Sequence, residues 1–435
     1  MFPIFLLIFV FFNNTYCWGN NMENLLFDPV KDERYTLDNG LVVLLKQSKR
    51  LPLVSIQTWV KVGSIYEDDK NNGISHFLEH LVFKGTKKYS VEQISKTLER
   101  YGAILNAGTS KEFTMYFTDI PKEGLNDALD VLAQLVFEAT FPEEELERER
   151  NVVIEEIKRF EDNPGNVLYE SFNNLLFKDS PYKRRILGTQ EVIRNLSRDE
   201  IIKYYKKFYQ PKNMILSICG DFEIKEVKNL IKQKFGSYNS DKQTNQLLTL
   251  DESSKGEIFE IKKHKVQHTY FLCGFLGPKI DEKHQYTGDV LSIILGEGIS
   301  SRLYKILREE KMLVYEIDSG FYTQLGPSVF YISGVCERKN LEKVISEVKS
   351  ILNELKEKGP NSEEIEKAKR IITTRWYLNN ETMHSKASSL AWWEMFKSLE
   401  ELNKYLENIN KVSSNDIKEF LNIYYKSLIS FALVP

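Results

Sequence analysis

The feature of this sequence that most constrains its fold is an internal repeat, because duplicated segments predict duplicated folding units. The stretch NLSRDEIIKYYKKFYQPKNMILSICGD at residues 195–221 parallels KVSSNDIKEFLNIYYKSLISFALVP at residues 411–435. Each contains a serine with an acidic residue a few positions on, a helical pattern with a double tyrosine, and an apolar strand. We expect the serine to cap the N-terminus of the helix in both copies.

A second pair of matching segments lies upstream of the first pair. KEGLNDALDVLAQLVFEATFPEEELERERNVVIEEI and RKNLEKVISEVKSILNELKEKGPNSEEIEKAKRIITT both read as a helix, a short turn with Pro142 or Pro360, and a second helix with an acidic start. A strand pattern precedes each of them, FTMYFTDI in the first half and SVFYISGV in the second. Each half is therefore predicted to combine strands with several helices.

The length of 435 residues also favours two folding units, because a chain of this size exceeds one compact core. We predict an α+β fold of two tandem homologous α/β domains, mainly antiparallel sheet with helices, that enclose a cleft. The domains are expected at residues 22–235 and 258–435. A linker rich in Ser, Asn, Asp and Gly is expected between them, at residues 236–257.

The N-terminus differs in composition from the rest of the chain. PIFLLIFVFF at residues 3–12 is an apolar run too short to span a bilayer but typical of a signal-peptide core. We therefore expect residues 1–21 to be a signal peptide with a short leader, so that the protein is exported, periplasmic or secreted, with no stable membrane span. No Lys or Arg precedes the run, which leaves an alternative in which Met22 begins a cytoplasmic or organellar protein.

Charge and cysteine usage exclude two classes of function. Basic and acidic side chains nearly cancel, 59 against 62, whereas a nucleic-acid partner would require a basic excess. We expect no nucleic-acid binding. None of the four cysteines forms a C-x-x-C pair, so a zinc site built from thiolates is not expected.

Two of the six histidines, His76 and His80, lie four residues apart in GISHFLEHLVFKGT. On a helix this spacing places both imidazoles on one face, where they can bind one zinc ion. Glu79 is adjacent to the second histidine and can serve as a general base, as in H-x-x-E-H motifs. The alternative is an ordinary helix whose histidines are solvated or hydrogen-bonded. A catalytic zinc site would also need a third protein ligand.

The helical segment EEELERERNVVIEEIKRFED offers a candidate for that third ligand. Glu149 and Glu156 are seven residues apart and fall on the apolar stripe of this helix. Two inward-facing carboxylates on one face require a cation, which favours a shared site with His76 and His80. The alternative is an acidic helix whose charged face is solvated.

The sequence resembles the pitrilysin-like inverted-motif zinc metallopeptidases, a family that includes insulin-degrading enzyme and mitochondrial processing peptidase. The resemblance covers nearly the whole chain after residue 30, through YTLDNGLVVLLKQ, GISHFLEHLVFKGT, YGAILNAGTSKEFTMYF, ERERNVVIEEI, PYKRRILGTQEVI and SSRLYKILREEKMLVYEIDSGF. In the family, a glutamate well downstream of the motif is the third zinc ligand, and a second glutamate before it assists the site. The resemblance thus implies Zn²⁺ held by His76, His80 and Glu156, with Glu149 assisting.

The resemblance also implies site residues that contact the substrate. The family's second domain supplies an arginine and, seven residues later, a tyrosine that reach bound peptide; in LREEKMLVY these are Arg308 and Tyr315. A phenol can donate to a developing oxyanion, and an arginine can hold a substrate carbonyl. The alternative is that Arg308 pairs with a nearby acid and Tyr315 packs in the core. NAGTSKEFTMYF resembles the family's edge strand, which would place Asn106 and Ala107 beside an extended peptide.

Together these observations predict a zinc-dependent endopeptidase acting on unfolded peptides, with Glu79 as general base and with Glu149, Arg308 and Tyr315 as further catalytic residues. The alternative is a non-catalytic or partner-dependent subunit of a heterodimeric peptidase, because some family relatives have lost ligands or the arginine–tyrosine pair. Both sets are present in this chain, so we expect an active homodimer, with a heterodimer as the alternative.

Overall fold

The computed structural model describes Asp28, residues 32–240 and residues 256–435. The predicted signal peptide and leader at residues 1–21 lie outside these described residues, as does most of the predicted linker at residues 236–257, so both stay predictions. Across the described ranges, every helix is too short or too polar to span a bilayer.

The first half of the chain folds into a six-stranded sheet accompanied by α-helices. Its strands are β1 (Asp32–Thr36), β2 (Val42–Gln47), β3 (Leu53–Val60), β4 (Ile104–Thr109), β5 (Thr114–Pro121) and β6 (Met214–Gly220). Its helices are α1 (Ile74–Leu81), α2 (Val91–Glu99), α3 (Leu125–Glu138), α4 (Glu143–Asp162), α5 (Pro164–Phe177), α6 (Gln190–Asn195), α7 (Arg198–Phe208) and α8 (Ile224–Phe235). The strand order is β1-β2-β6-β3-β5-β4, which places β4 at one edge.

The second half forms a five-stranded sheet with its own helices. Its strands are β7 (Ile258–Lys263), β8 (Thr269–Leu276), β9 (Val314–Tyr322), β10 (Val329–Cys336) and β11 (Ile429–Val434). Its helices are α9 (Gln285–Gly296), α10 (Leu341–Lys358), α11 (Ser362–Asn379), α12 (Met383–Phe396), α13 (Leu399–Lys411) and α14 (Ser414–Tyr424), with a π-helical segment at Tyr304–Glu310. The strand order is β7-β11-β8-β10-β9.

The two sheets share one topology once β1 is set aside. In the first half β2 pairs in parallel with the last strand, β6, with Val42 beside Ile215. In the second half β7 pairs in parallel with the last strand, β11, with Ile258 beside Ile429. The remaining pairs in both sheets are antiparallel. The predicted α+β fold with two repeated units is confirmed.

The serine caps predicted for the two matching helices are also confirmed. The Ser197 hydroxyl accepts from the backbone N–H of Glu200 at the start of α7, and the Ser413 hydroxyl does the same with Asp416 at the start of α14. In both capping boxes the acidic side chain accepts in return from the serine backbone N–H. The local signals that begin these helices are therefore duplicated along with the strands.

Each half lends one helix to the sheet of the other half. Helix α5 packs on β8 and β11, where Phe172 lies in one buried cluster with Leu272 and Phe431. Helix α12 packs on β3 and β6, where Leu390 lies in a buried cluster with Ile215. The alternate residues of the central strands lie on the opposite face of each sheet and enter the core of their own half. Both faces of each sheet are therefore covered. This exchange ties the two halves together.

A buried polar cluster joins the two halves beside the β4–β5 turn. The carboxylate of Glu112 accepts hydrogen bonds from the Tyr182 hydroxyl and, at 2.6 Å, from the backbone N–H of Leu325. The N–H of Gly326 donates to the Tyr182 hydroxyl at 2.8 Å. Burial raises the pKa of Glu112 to about 7, although these hydrogen bonds and the Lys111 ammonium oppose the shift.

This shift predicts a pH dependence of stability. Folded Glu112 holds its proton more tightly than an unfolded chain does, so its contribution is fully present below its ordinary pKa of 4.5 and is lost as pH rises through about 7. Glu112→Gln keeps an acceptor without the charge. Between about pH 5.5 and 8.5 we expect its stability to rise relative to the parent by about 2 kcal/mol. Melting temperatures of both proteins across that range check this, and a difference that does not change with pH would contradict it.

Candidate metal centre

Helix α1 carries His76, Glu79 and His80, and its N-terminus requires a glycine. Gly73, the N-cap, has a φ of +99°, and a Cβ atom there would lie 2.6 Å from the carbonyl oxygen of Leu187. Only glycine fits both conditions without strain. A glycine has no side chain with which to cap the helix, so the cap must come from elsewhere in the chain.

Glu67 supplies that cap. Its carboxylate accepts from the backbone N–H groups of Gly73 at 2.7 Å and Ser75 at 2.9 Å, and from the side-chain amide of Asn72 at 2.8 Å. Burial raises the pKa of Glu67 despite these hydrogen bonds. Glu67 was not predicted from the sequence, where the available signal was an acidic residue shortly before a helix that begins at glycine.

Helix α4 lies against α1 and brings a carboxylate to both imidazoles. The Nε2 atom of His76 is 3.5 Å from Oε1 of Glu156, and the Nε2 atom of His80 is 3.5 Å from Oε2. One potential ligand atom from each of these residues lies within 4.8 Å of the other two. Two imidazole nitrogens and one carboxylate oxygen match the donor types and number of a catalytic zinc site. The residues present therefore fit the predicted ion.

The charges of this group are strongly coupled. Burial lowers the pKa of His80, but hydrogen bonds with Glu149 and Glu156 outweigh burial and raise the value to about 9. Burial opposes ionisation of Glu156, yet its bonds to His76 and His80 hold the pKa of this carboxyl well below its usual range. The carboxylates thus stabilise positive charge at this point, which a divalent cation can supply in place of a proton.

Glu149 approaches His80 from the side away from Glu156. Its Oε2 atom is 3.2 Å from Nδ1 of His80, and its Oε1 atom is 2.8 Å from the Lys84 ammonium. Burial raises the pKa of Glu149, but His80 and Lys84 outweigh it and lower the value. A carboxylate on the second imidazole nitrogen orients a metal-binding histidine. Lys84 lies three residues beyond the end of α1 and was not predicted from the sequence.

The carboxylate of Glu79 is held by a residue of the sheet. The Thr109 hydroxyl donates to Oε2 of Glu79 at 2.5 Å. Thr109 is the last residue of β4, which contacts α1. Thr109 was not predicted as a site residue, because no local pattern connects a strand residue to a helix earlier in the chain.

Asn106 and Ala107 lie on β4, the edge strand of the first sheet. Strand β4 pairs with β5 on one side, and its other side has no neighbouring strand in the described part of the chain. The Asn106 side chain is exposed, and its carbonyl oxygen accepts from the Ala107 backbone N–H at 2.9 Å. An open edge is compatible with pairing to an extended peptide. The role of these two residues stays a prediction.

Arg308 and Tyr315 lie together in the second half and line a cavity of about 400 Å³ with Glu337. The Arg308 guanidinium is 4.8 Å from the Tyr304 ring centre, and the Tyr315 hydroxyl donates to Glu337 at 3.3 Å. Tyr315 is 46% exposed, so the alternative in which it packs in the core is wrong. Among the described residues, no hydrogen bond, ion pair or ring contact links either side chain to the α1 histidines.

A second group of potential metal ligands occurs in the other half. His284, Asp416 and Glu419 offer one ligand atom each within 4.8 Å of one another. However, the Lys283 ammonium lies 3.3 Å from Glu419, and Asp416 accepts from the backbone N–H and hydroxyl of Ser413 as part of a helix cap. Both carboxylates therefore have a cationic or hydrogen-bonding partner without a metal ion, and we assign the group no metal.

Comparison with known proteins finds similar sequences along most of the chain. The family model described as Insulinase (Peptidase family M16) matches residues 42–190, and the one described as Peptidase M16 inactive domain matches residues 195–372. The uncharacterized zinc protease YmxG of Bacillus subtilis is 32% identical over 405 residues, covering 92% of this chain and 98% of that protein. The zinc protease PqqE of Helicobacter pylori is 30% identical over 414 residues, covering 94% and 93%.

Solved structures agree with these sequence matches. The crystal structure of a protease from Helicobacter pylori has a TM-score of 0.85 at 28% identity and covers 93% of this chain and 99% of that chain. The crystal structure of a putative M16-like peptidase from Alicyclobacillus acidocaldarius has a TM-score of 0.82 at 20% identity and covers 95% and 100%. The second likeness concerns the fold alone.

Proposed function

The chain belongs to the insulinase family of peptidases, family M16, and on this basis we propose that it is a zinc-dependent endopeptidase that hydrolyses unfolded peptides. The family resemblance predicted from the sequence is confirmed, and the relatives described above are named zinc proteases. One observation carries the proposal: the Nε2 atoms of His76 and His80 converge on the carboxylate of Glu156, with Glu79 on the same helix.

The proposed mechanism assigns proton transfer to Glu79. Zinc held by His76, His80 and Glu156 would supply a Lewis acid that makes water more acidic and polarises a carbonyl. Glu79 would accept a proton from the attacking water at Oε1, the oxygen that does not receive the Thr109 hydroxyl, and would return it to the leaving amine.

Substrate binding would involve both halves of the fold. An extended peptide would pair with the open edge of β4 near Asn106 and Ala107. Tyr315 would donate to the developing oxyanion and Arg308 would hold a substrate carbonyl. Because this one chain carries both the candidate zinc ligands and the arginine–tyrosine pair, we propose a homodimer in which each site uses Arg308 and Tyr315 of the partner subunit.

The test is zinc content and cleavage of a quenched fluorescent peptide by the purified chain. We expect about one zinc per chain, loss of cleavage when a chelator removes the zinc, and recovery when zinc is returned. Light scattering of the active preparation distinguishes a homodimer from a monomer. Cleavage that persists in protein shown to be free of metal would contradict the proposal.

A second candidate is a subunit that binds zinc and peptide but needs an unlike partner for turnover. The observation that favours it is the match of residues 195–372 to the family model described as an inactive domain. This candidate predicts zinc in the isolated chain without peptide cleavage.

Export also remains a proposal, which N-terminal sequencing of the mature protein would test.

A further inference from the structure

We propose that Thr109 is a positioning residue that orients the carboxylate of Glu79 and leaves Oε1 as the oxygen that takes the proton. The inference rests on the proposed role of Glu79 as general base and deepens it. It assigns a task to a residue that lies outside the metal-binding motif and on a different element, the edge strand β4.

The contacts of Glu79 are asymmetric. Its Oε2 atom receives the Thr109 hydroxyl at 2.5 Å, and this is the one hydrogen bond of the Glu79 side chain within the described residues. By contrast, Glu149 has two partners, His80 and Lys84. The terminal torsion of a glutamate has a broad distribution, so a carboxylate without a partner can rotate. Thr109 is therefore the group that selects the orientation.

The chemistry of threonine suits this task. Its side chain is branched at Cβ and stiff about χ1, and its place in a paired strand fixes the backbone that carries it. The hydroxyl has a single hydrogen, which it donates to Oε2. A hydrogen bond from a hydroxyl to an ionised carboxylate is short. Because Oε2 already accepts this hydrogen bond, it is the weaker of the two oxygens as an acceptor for the proton of the attacking water. The unoccupied oxygen, Oε1, is left to act as the base.

The same bond couples the base to the strand that would align the substrate. In the β4–β5 pairing Thr109 stands opposite Thr114, and Ala107 stands opposite Tyr116. A peptide added to the edge of β4 would be held in register with Ala107, two residues from Thr109. The base and the scissile bond would then be positioned by one rigid element, and a small misplacement of either can cost about 100-fold in rate.

Three variants test the proposal. Thr109→Val removes the hydroxyl at nearly constant shape, Thr109→Ser keeps the hydroxyl, and Thr118→Val is the matched control. Thr118 is a buried threonine of the neighbouring strand β5 whose hydroxyl has no partner in the described structure. For Thr109→Val we expect kcat to fall about 10- to 100-fold with KM, zinc content and melting temperature unchanged. Thr109→Ser should recover most of the rate, and Thr118→Val should match the parent.

A second readout does not depend on turnover. A peptide hydroxamate chelates zinc and donates its own hydrogen to the general base, so its dissociation constant reports the orientation of Glu79. We expect about 10-fold weaker binding to Thr109→Val than to the parent, and no difference between the two in a Glu79→Gln background. This cycle decides the role of Thr109 even if the parent chain binds zinc without cleaving peptides, an outcome that would count against the proposed function alone.

Other outcomes overturn the inference. Parent-like kcat and hydroxamate affinity in Thr109→Val would show that Glu79 needs no such partner. Loss of zinc or of thermal stability in that variant would assign Thr109 a structural role. A low rate in Thr109→Ser would mean that the methyl group, not the hydroxyl, matters.

Discussion

Substituting glutamine for Glu79 is expected to lower kcat for peptide hydrolysis about 1,000-fold while the chain keeps its zinc. Glutamine has the same shape and retains an oxygen that can accept from Thr109, but its amide cannot take a proton from the attacking water. The three proposed ligands are unaltered, so metal binding should persist. The expected result therefore separates proton transfer from metal binding.

Single-turnover cleavage of a quenched peptide, with zinc measured on the same samples, checks this expectation. Glu99→Gln, an exposed change at the end of α2, is the control for the chemical nature of the substitution. Unchanged cleavage by Glu79→Gln, with contaminating protease excluded, would remove Glu79 from the mechanism. Loss of zinc in the same variant would instead make it a ligand.

Three glutamates of α4 are expected to differ in their effect on zinc affinity. Glu156→Gln should weaken zinc binding by more than about 100-fold, because Glu156 is the carboxylate that faces both imidazoles. Glu149→Gln should weaken it about 10- to 100-fold, because Glu149 orients His80. Glu155→Gln should leave it unchanged, because Glu155 is exposed and pairs with Lys158.

Competition with a chromophoric chelator measures all three affinities under one set of conditions. The order of the effects carries the information, since the substitutions are chemically identical and lie on one helix. A larger loss for Glu149→Gln than for Glu156→Gln would exchange the proposed roles of ligand and orienting residue. Equal losses for all three would point to destabilisation of α4 itself.

The repeated architecture was predictable because its signals are local. Apolar periodicity and serine caps depend on residues close together in sequence, and they occur twice, in α7 with β6 and in α14 with β11. Proline-containing turns also occur twice, between α3 and α4 and between α10 and α11. The exchange of α5 and α12 between the two sheets was not predictable in this way. It depends on which apolar faces remain uncovered after each half has formed, and that is a property of the assembled sheets.

The metal centre was likewise predictable in part. The spacing of His76 and His80 on one helix, and of Glu149 and Glu156 on another, follows from helix geometry alone. That these two helices meet, with Nε2 to carboxylate distances of 3.5 Å, depends on packing between residues far apart in the chain.

Helical and strand periodicity therefore sufficed to predict the fold class and the faces that carry the candidate ligands, since neighbours in sequence determine them. The partner of Glu79 at Thr109 and the buried link through Glu112 emerged only with the tertiary structure. Each of these contacts joins groups whose separation in space is set by the packing of whole elements. No local pattern encodes such a distance, because the energies that decide it are summed over the entire core.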